Sequence, residues 1–308
     1  MRRVKRFFFM HIGTIVAVIV YFNLADRAGY SVPGIAHALR VALVVMSCYA
    51  ALAYSQGELK QFDFGIWTMF ALGALFVSAG VGPVTWLFQH YSPAILFGTF
   101  TVTALVPLVA GRETFTVYYA RRQLPAWQLK LPEVAAVSRV MTAYWVLIFL
   151  TATTLCAWQP RDPRFTLFYP NLLVFVVGMT ATFWLPALYF RLFPPGVPQA
   201  VEPLVMGMPM VFDRKGAGDA RAVIQFCVSG AEPGDYHVRI ERGRCKSFEG
   251  VAPTADLTIY TPGAVWTRIA RGELDGGQAL AEGLYRVEGD FSILAKMEAW
   301  FPARRGAS

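Results

Sequence analysis

Residue types that carry catalysis or hold metals are few in this 308-residue sequence, and they are scattered along it. The four histidines, His11, His37, His90 and His237, include no pair at the one-turn spacing of a zinc or di-iron site on a helix. The four cysteines form no CxxC motif, which argues against a zinc knuckle or a redox pair. We therefore predict no metal site.

Motifs that bind nucleotide phosphates are also missing, since the sequence contains neither a P-loop nor a GxGxxG segment. No nucleophile stands beside a candidate base in the pattern that covalent catalysis needs. Asp256, Asp275 and Asp290 fall at a strand end, a turn and a helix start, where carboxylates serve structural roles. We therefore predict no cofactor and no enzymatic activity.

His37 and Arg40 are polar residues inside a long apolar run, and their spacing places both on one face of a helix. A charged residue within a membrane span is by default a functional hypothesis, here a contact with an anion or a lipid headgroup. In the simpler interpretation, Arg40 lies one or two turns from the helix end and extends its guanidinium to the interface. The sequence favours the simpler interpretation.

The charge distribution divides the chain into two parts. The formal net charge is +8, and 56% of the residues are hydrophobic. Residues 1–200 hold 15 Lys and Arg against 6 Asp and Glu, whereas residues 201–308 hold 13 against 14. The basic excess therefore belongs to the apolar part, where short basic loops orient spans against an anionic leaflet. This distribution argues against nucleic-acid binding.

Six apolar runs are long enough to cross a hydrocarbon core of about 30 Å as helices. The third and fourth runs are the least clearly divided, because Gly80, Gly82 and Pro83 could bend or break a helix there. No small-residue cleavage site follows the first run, so we interpret it as an uncleaved anchor. The runs are Phe7–Leu24, Ile35–Tyr54, Ile66–Phe88, Pro93–Ala110, Val140–Trp158 and Leu172–Phe193.

Basic residues in alternate loops predict the orientation of these spans. With the amino terminus inside, the inner segments hold ten Lys and Arg and the outer loops hold three. Both termini are then cytoplasmic, as in a multi-pass protein of a bacterial inner membrane. We divide the chain into an all-α membrane domain of about six transmembrane helices and unassigned family, residues 1–195, and a soluble domain, residues 196–308.

The soluble part follows a proline-rich linker, FPPGVPQAVEP, and begins with alternating segments. RAVIQFCV and DYHVRIER are joined by SGAEPGD, which has the Gly and Pro of a hairpin loop, and ADLTIYT follows later. We predict three or four antiparallel strands with one apolar face. The inward positions are Ile224, Phe226, Val228, Tyr236, Val238, Ile240, Leu257 and Ile259.

The periodicity then changes to that of helices. In TPGAVWTRIARGEL, we expect Thr261 to cap a helix whose first position is Pro262. The buried face of this helix holds Val265, Trp266 and Ile269.

Two more helices and a strand follow. GGQALAEG is a short helix that ends at Gly283, and LYRVEGD is a strand. Asp290 caps the last segment, FSILAKMEAWF. The apolar face of that helix consists of Phe291, Leu294, Met297 and Phe301.

The succession ADLTI … VWTRIARGELDGGQALAEGLYRVEGDFSILAKM resembles the second half of the sterol carrier protein type two family. In that family an AD-x-T-I strand, a helix ending in a glycine turn, a small-residue helix, a strand ending in x-x-G-D/N and a leucine-rich helix occur in this order. The resemblance covers about Val205 to Phe301 and is densest over Ala255–Met297. The family's long first helix is not evident, so either residues near Val201–Met210 stand in for it or the membrane covers that side.

The resemblance implies an α+β domain in which an antiparallel twisted sheet and its covering helices enclose an apolar tunnel. A sterol, a fatty acyl chain or an isoprenoid lipid would be its hydrophobic ligand. The inward-facing side chains either line this tunnel or simply fill the core. The candidate lipid-binding residues are Phe226, Val228, Val238, Ile240, Leu257, Ile259, Trp266, Ile269, Phe291, Leu294 and Met297.

The sequence thus favours a membrane-tethered protein that binds and transfers a lipid, with the lipid and the membrane as partners. Two alternatives remain. The chain could be an accessory subunit that presents a quinone-like lipid to a biosynthetic enzyme, which would be a membrane-protein partner. It could also be a transporter whose tail senses lipid.

Overall fold

The computed structural model describes residues 12–193, 196 and 198–302. The chain folds as two units, one of residues 1–124 and 133–194 and the other of residues 125–132 and 195–308. The start of the first predicted span, with His11 and the four basic residues before it, lies outside the described residues.

The first unit is helical. Five of its helices are long and apolar enough to cross a membrane, as judged within the described residues: α2 (Val32–Ser55), α3 (Gln61–Ser78), α4 (Gly82–Val109), α7 (Pro132–Trp158) and α8 (Arg164–Leu192). The described part of the first predicted span lies in the 16-residue helix Ile12–Arg27, so the count of six stays a prediction. The first unit also contains α1 (Ile12–Arg27) and α5 (Phe115–Gln123).

The third and fourth predicted spans have the wrong boundaries. The helix break lies between Ser78 and Gly82, so residues 82–88 begin α4 rather than end α3. Gly80 has a φ of 73° at this break, a conformation that favours glycine. α4 continues through the expected second break but is kinked at Tyr91, because Pro93 lacks the amide hydrogen that a regular helix needs.

Polar contacts join helices inside the first unit. The hydroxyls of Tyr21 and Ser92 lie 2.5 Å apart, and both side chains are buried. Thr14 donates to the buried carboxylate of Asp63 at 2.5 Å, and that carboxylate also accepts the backbone N–H of Lys60 at 3.1 Å. Asp63 therefore caps the start of α3 and ties it to α1.

The second unit is a five-stranded sheet with helices. Its strand order is β3-β2-β1-β4-β5. The strands are β1 (Ala222–Ser229), β2 (Gly234–Glu241), β3 (Arg244–Glu249), β4 (Leu257–Pro262) and β5 (Arg286–Gly289). The helices are α6 (Ala126–Leu129), α9 (Val201–Val211), α10 (Arg214–Ala217), α11 (Gly263–Ala270), α12 (Gly276–Ala281) and α13 (Phe291–Trp300).

The sheet is mixed, so the predicted antiparallel sheet is wrong. β1 is antiparallel to β2, with Ile224 opposite Val238, but it is parallel to β4, with Phe226 opposite Ile259. The β2–β3 and β4–β5 pairs are antiparallel. Alternation of side chains identifies the buried face of a strand, but it is the same for either direction of the neighbouring strand.

β3 is a strand that we did not predict. Its segment, RCKSFE, carries exposed charges at Arg244, Lys246 and Glu249 and shows little apolar alternation. Among the described residues, β3 lies at the edge of the sheet and pairs with β2 alone. Charged residues are common on edge strands, because they oppose pairing with another chain.

α11 begins one residue later than predicted. Pro262 is its N-cap, and Thr261 belongs to β4, where it is buried and caps no helix. Asp290 caps α13 as predicted, by accepting the N–H of Ser292 at 2.8 Å. Asp275, which we predicted in a turn, accepts the N–H of Gln278 at 2.7 Å and caps α12.

Gly289 allows a close approach at the end of β5. Its φ is 106°, and an added Cβ would overlap the carbonyl oxygen of Asp256. Gly272 is a matched control, because its φ is 73° but an added Cβ would meet no atom within 4 Å.

We expect Gly272→Ala to lower the free energy of unfolding by about 1 kcal/mol and Gly289→Ala by at least about 3 kcal/mol. Pulse proteolysis of the full chain in urea measures both losses, and equal losses would contradict this prediction.

Candidate functional site

The apolar interior of the second unit lies on one face of its sheet. Strands β1, β2 and β4 direct alternate side chains to this face, since the pleat points every second residue to the same side. The strand residues of this interior are buried: Ile224, Phe226, Val228, Val238, Ile240, Leu257 and Ile259.

α11 closes part of this interior with aromatic contacts. The ring centroids of Trp266 and Phe226 lie 5.1 Å apart in an edge-to-face arrangement. Trp266 also lies edge-to-face with Tyr285, at 6.3 Å. Ile269 packs against the same cluster. Edge-to-face pairs are a favoured aromatic geometry, so these contacts add to the burial of the rings.

α13 contributes Leu294 and Met297, together with Ile293 and Trp300. The prediction that Phe291 shares this face is wrong, because its side chain is 56% exposed. Ile293, Met297 and Trp300 follow the i, i+4, i+7 spacing of one helical face, which leaves Phe291 on the outer side. The other ten candidate residues lie in one cluster, and their role as lipid contacts stays a prediction.

α9 supplies buried residues that the candidate set missed. Val201, Val205 and Met208 belong to the same cluster, and α9 packs against β2, β3 and α11. The spacing of these three residues is the signal that could have identified them. Of the two alternatives for the absent first helix, the segment near Val201–Met210 is helical.

A few polar groups lie at the margin of this interior. The Ser247 hydroxyl donates to the carbonyl oxygen of Val205 at 2.8 Å, and the Tyr285 hydroxyl donates to that of Gly276 at 3.0 Å. Burial raises the pKa of the Cys245 thiol to about 12, so this thiol is neutral at physiological pH. The interior therefore suits an apolar guest better than acid–base chemistry.

A polar cleft of about 300 Å³ lies beside α13 on the second unit. Its carboxylates serve the fold, since Asp256 accepts the N–H of Val223 at 2.7 Å and Asp290 caps α13. Hydrogen bonds from Ser292 lower the pKa of Asp290. We do not assign a site there. The cleft is lined by Ala220, Arg221, Asp256, Asp290, Ser292, Ile293, Lys296 and Trp300.

His37 and Arg40 lie on the exposed side of α2. The Arg40 Nε donates to the carbonyl oxygen of Ala36 at 3.1 Å, and the role of both residues stays a prediction. Across the described part of the chain, no group of three or more His, Cys, Asp or Glu residues is placed to hold a metal ion.

The second unit matches a known family over most of its length. Residues 215–302 match the SCP-2 sterol transfer family, which confirms the resemblance, although the match begins ten residues after Val205. No curated protein matches the chain.

The solved structures that are similar to parts of the chain include three that we describe. Sterol carrier protein 2 like 2 from Aedes aegypti is 21% identical over 32% of this chain and 89% of its own, with a TM-score of 0.28. A crystal structure of sterol carrier protein 2 is 25% identical over 28% and 74%, with a TM-score of 0.24. The UbiJ-SCP2 ubiquinone synthesis protein is 17% identical over 32% and 87%, with a TM-score of 0.25.

Phe226 and Phe291 form a matched pair that tests the interior. Phe226 is fully buried, so we expect Phe226→Ala to lower the free energy of unfolding by about 3–5 kcal/mol. Phe291→Ala should change it by no more than about 0.5 kcal/mol, because that ring is mostly exposed. Urea unfolding of the full chain, followed by pulse proteolysis, compares the two. A loss of more than about 2 kcal/mol for Phe291→Ala would place that ring in the core.

Proposed function

We propose that residues 215–302, an SCP-2 sterol transfer domain, hold an apolar lipid in the interior bounded by the sheet and helices. The domain would exchange this lipid with the membrane to which the first unit tethers it. The lipid is a sterol, a fatty acyl chain or an isoprenoid. The observation that carries the proposal is the match of this region to a sterol transfer family, and its apolar cluster supports it.

The energetics of lipid transfer support such a role. Moving an alkyl chain from a bilayer into water costs about 0.8 kcal/mol per exposed CH₂ group. An apolar interior offsets that cost by replacing the bilayer. The side chains of the interior pack on one another here, so a lipid must displace some of them. Met206, Met208 and Met297 lie in or against the cluster, and such unbranched side chains adapt to displacement more readily than branched ones.

We further propose that the long apolar helices of the first unit span a bacterial inner membrane, with both termini in the cytoplasm. Large apolar side chains cover the outside of these helices, for example Leu147, Phe183 and Val109, all more than 60% exposed. An apolar surface of this extent suits hydrocarbon better than water. A tether of this kind raises the concentration of the domain at the membrane.

We assign no catalytic role to the domain. The hydroxyls of Ser247 and Tyr285 donate to backbone carbonyls, and the Cys245 thiol is neutral at physiological pH. An acyl or phosphoryl transfer needs an activated nucleophile beside a base, and these three groups supply none.

Lipid extraction from the purified protein tests the lipid-binding role. We expect native mass spectrometry of the full chain in detergent to detect one apolar lipid per chain that survives detergent exchange. A variant that ends at residue 195 is the control, because it keeps the first unit and loses the domain. An isoprenoid quinone in the extract would favour presentation to a biosynthetic enzyme. The same lipids in equal amounts on both proteins would contradict the proposal.

The orientation is tested separately by fusions at the carboxyl terminus. With a cytoplasmic carboxyl terminus, a green fluorescent protein fusion should fluoresce and an alkaline phosphatase fusion should be inactive. The same two reporters placed after Asp26, in the first predicted outer loop, should give the opposite result. An active phosphatase at the carboxyl terminus would reverse the proposed topology.

A further inference from the structure

α9 packs over the apolar interior of the second unit and can leave it without breaking the strand pairing. Strands β1 to β5 are joined by backbone ladders, whereas α9 contacts β2 and β3 through side chains. Val205, on the inner face of α9, is fully buried, and Val201 and Met208 lie on the same face at helical spacing. Displacement of α9 would therefore expose the apolar face of the sheet and leave the strand pairing intact.

The backbone of α9 is weakened where it meets the sheet. Pro209 lies inside the helix and has no N–H to bond to the carbonyl oxygen of Val205. That oxygen accepts the hydroxyl of Ser247 on β3 instead, at 2.8 Å. The hydrogen bond replaces one that a regular helix makes within itself, so α9 is less stable away from the sheet than its length implies.

A segment from elsewhere in the sequence holds α9 from its other side. Residues 125–132, which we call the strap, stand between α5 and α7 in the chain but fold with the second unit. Trp127 in the strap is 9% exposed. A Cβ placed on Gly207 would lie 3.7 Å from the indole Cη2, so the ring packs on the backbone of α9.

Two polar contacts extend this attachment. Lys130 of the strap forms an ion pair with Glu202 in the first turn of α9. The side-chain amide of Gln128 lies 3.9 Å from the sulfur of Met210, near the last turn. Residues 207 and 210 lie on the face of α9 opposite Val205, and residue 202 lies at the flank of the helix, since a helix advances about 100° per residue. The strap and the sheet therefore hold opposite faces of α9.

We propose that α9 is the lid of the lipid-binding interior and that the strap is its latch, so that release of the strap controls lipid loading. This inference rests on the proposed lipid-binding function. The lid and the latch both lie outside residues 215–302, the region that matches the sterol transfer family. Control of loading would then reside in segments outside the residues that match the family model.

Hydrogen exchange of α9 in the full chain tests the latch without any lipid. We expect Trp127→Ala to accelerate exchange of the amides of residues 204–208 by about tenfold, which corresponds to about 1.4 kcal/mol, with β1 unchanged. Trp158→Ala is the matched control, because Trp158 is 75% exposed and belongs to the first unit. It should leave exchange in α9 as in the wild type.

Charge reversal provides a second test that removes no large side chain. Lys130→Glu and Glu202→Lys should each accelerate loading of a fluorescent stearate analogue by up to about fivefold, because exposed ion pairs are weak. The double variant should return the rate toward that of the wild type. The protein is held in nanodiscs, and phosphatidylethanolamine–phosphatidylglycerol vesicles deliver the probe.

The two readouts separate the possible failures. Faster exchange in α9 together with faster loading is the expected result. Unchanged exchange in Trp127→Ala overturns the latch, whatever the lipid result. Faster exchange with unchanged loading overturns α9 as the lid. A wild-type chain that takes up no probe and yields no extracted lipid overturns the proposed function, even where exchange in α9 still responds to the strap.

Discussion

Burial of one face of strand β1 is the constraint on which the rest of the second unit depends. β1 is paired on both edges, with β2 and β4, so its backbone groups are satisfied within the sheet. Ile224, Phe226 and Val228 all point to one side and are buried. Burial of each such side chain contributes about 1.5–3 kcal/mol, so this face must be covered. Helices α9, α11 and α13 provide the cover.

The helices that cover the sheet differ in how they are attached to it, and this difference matters for the proposed function. α11 follows β4 directly in the chain, and its Trp266 packs against Phe226. α9 also packs on the sheet, but it precedes residues 215–302, the region that matches the family. A closed apolar interior can exchange its contents only if some element opens at a free energy below that of global unfolding. An element held by side chains and interrupted by Pro209 meets that requirement better than a paired strand does.

In the first unit, both the buried and the outer faces of the helices are apolar. Its buried face holds large side chains such as Tyr21, Phe70 and Met46, while its outer face is also apolar. Contacts such as those of Thr14 with Asp63 and Tyr21 with Ser92 then specify how the helices pair. The same pattern is typical of helices in a bilayer, where apolar burial does not distinguish the inside of a protein from its outside.

Local pattern in the sequence was enough to determine several features of this protein. The alternation in β1, β2 and β4 identified their buried face, and Asp290 identified the start of α13. The ordered motifs after Ala255 identified the family that residues 215–302 match. Each of these features depends on residues close together in the chain. For the same reason, ten of the eleven candidate residues fall in one cluster.

Only the tertiary structure decided which distant segments meet. The parallel pairing of β1 with β4, the charged edge strand β3 and the exposure of Phe291 depend on the neighbours of each element. The contact of Gln128 with Met210 joins residues 82 positions apart. Periodicity reports the face that a residue occupies on its own helix or strand. Periodicity does not identify the element that this face contacts. The free energy of a long-range contact depends on both contacting surfaces and on the entropy lost in closing the loop between them.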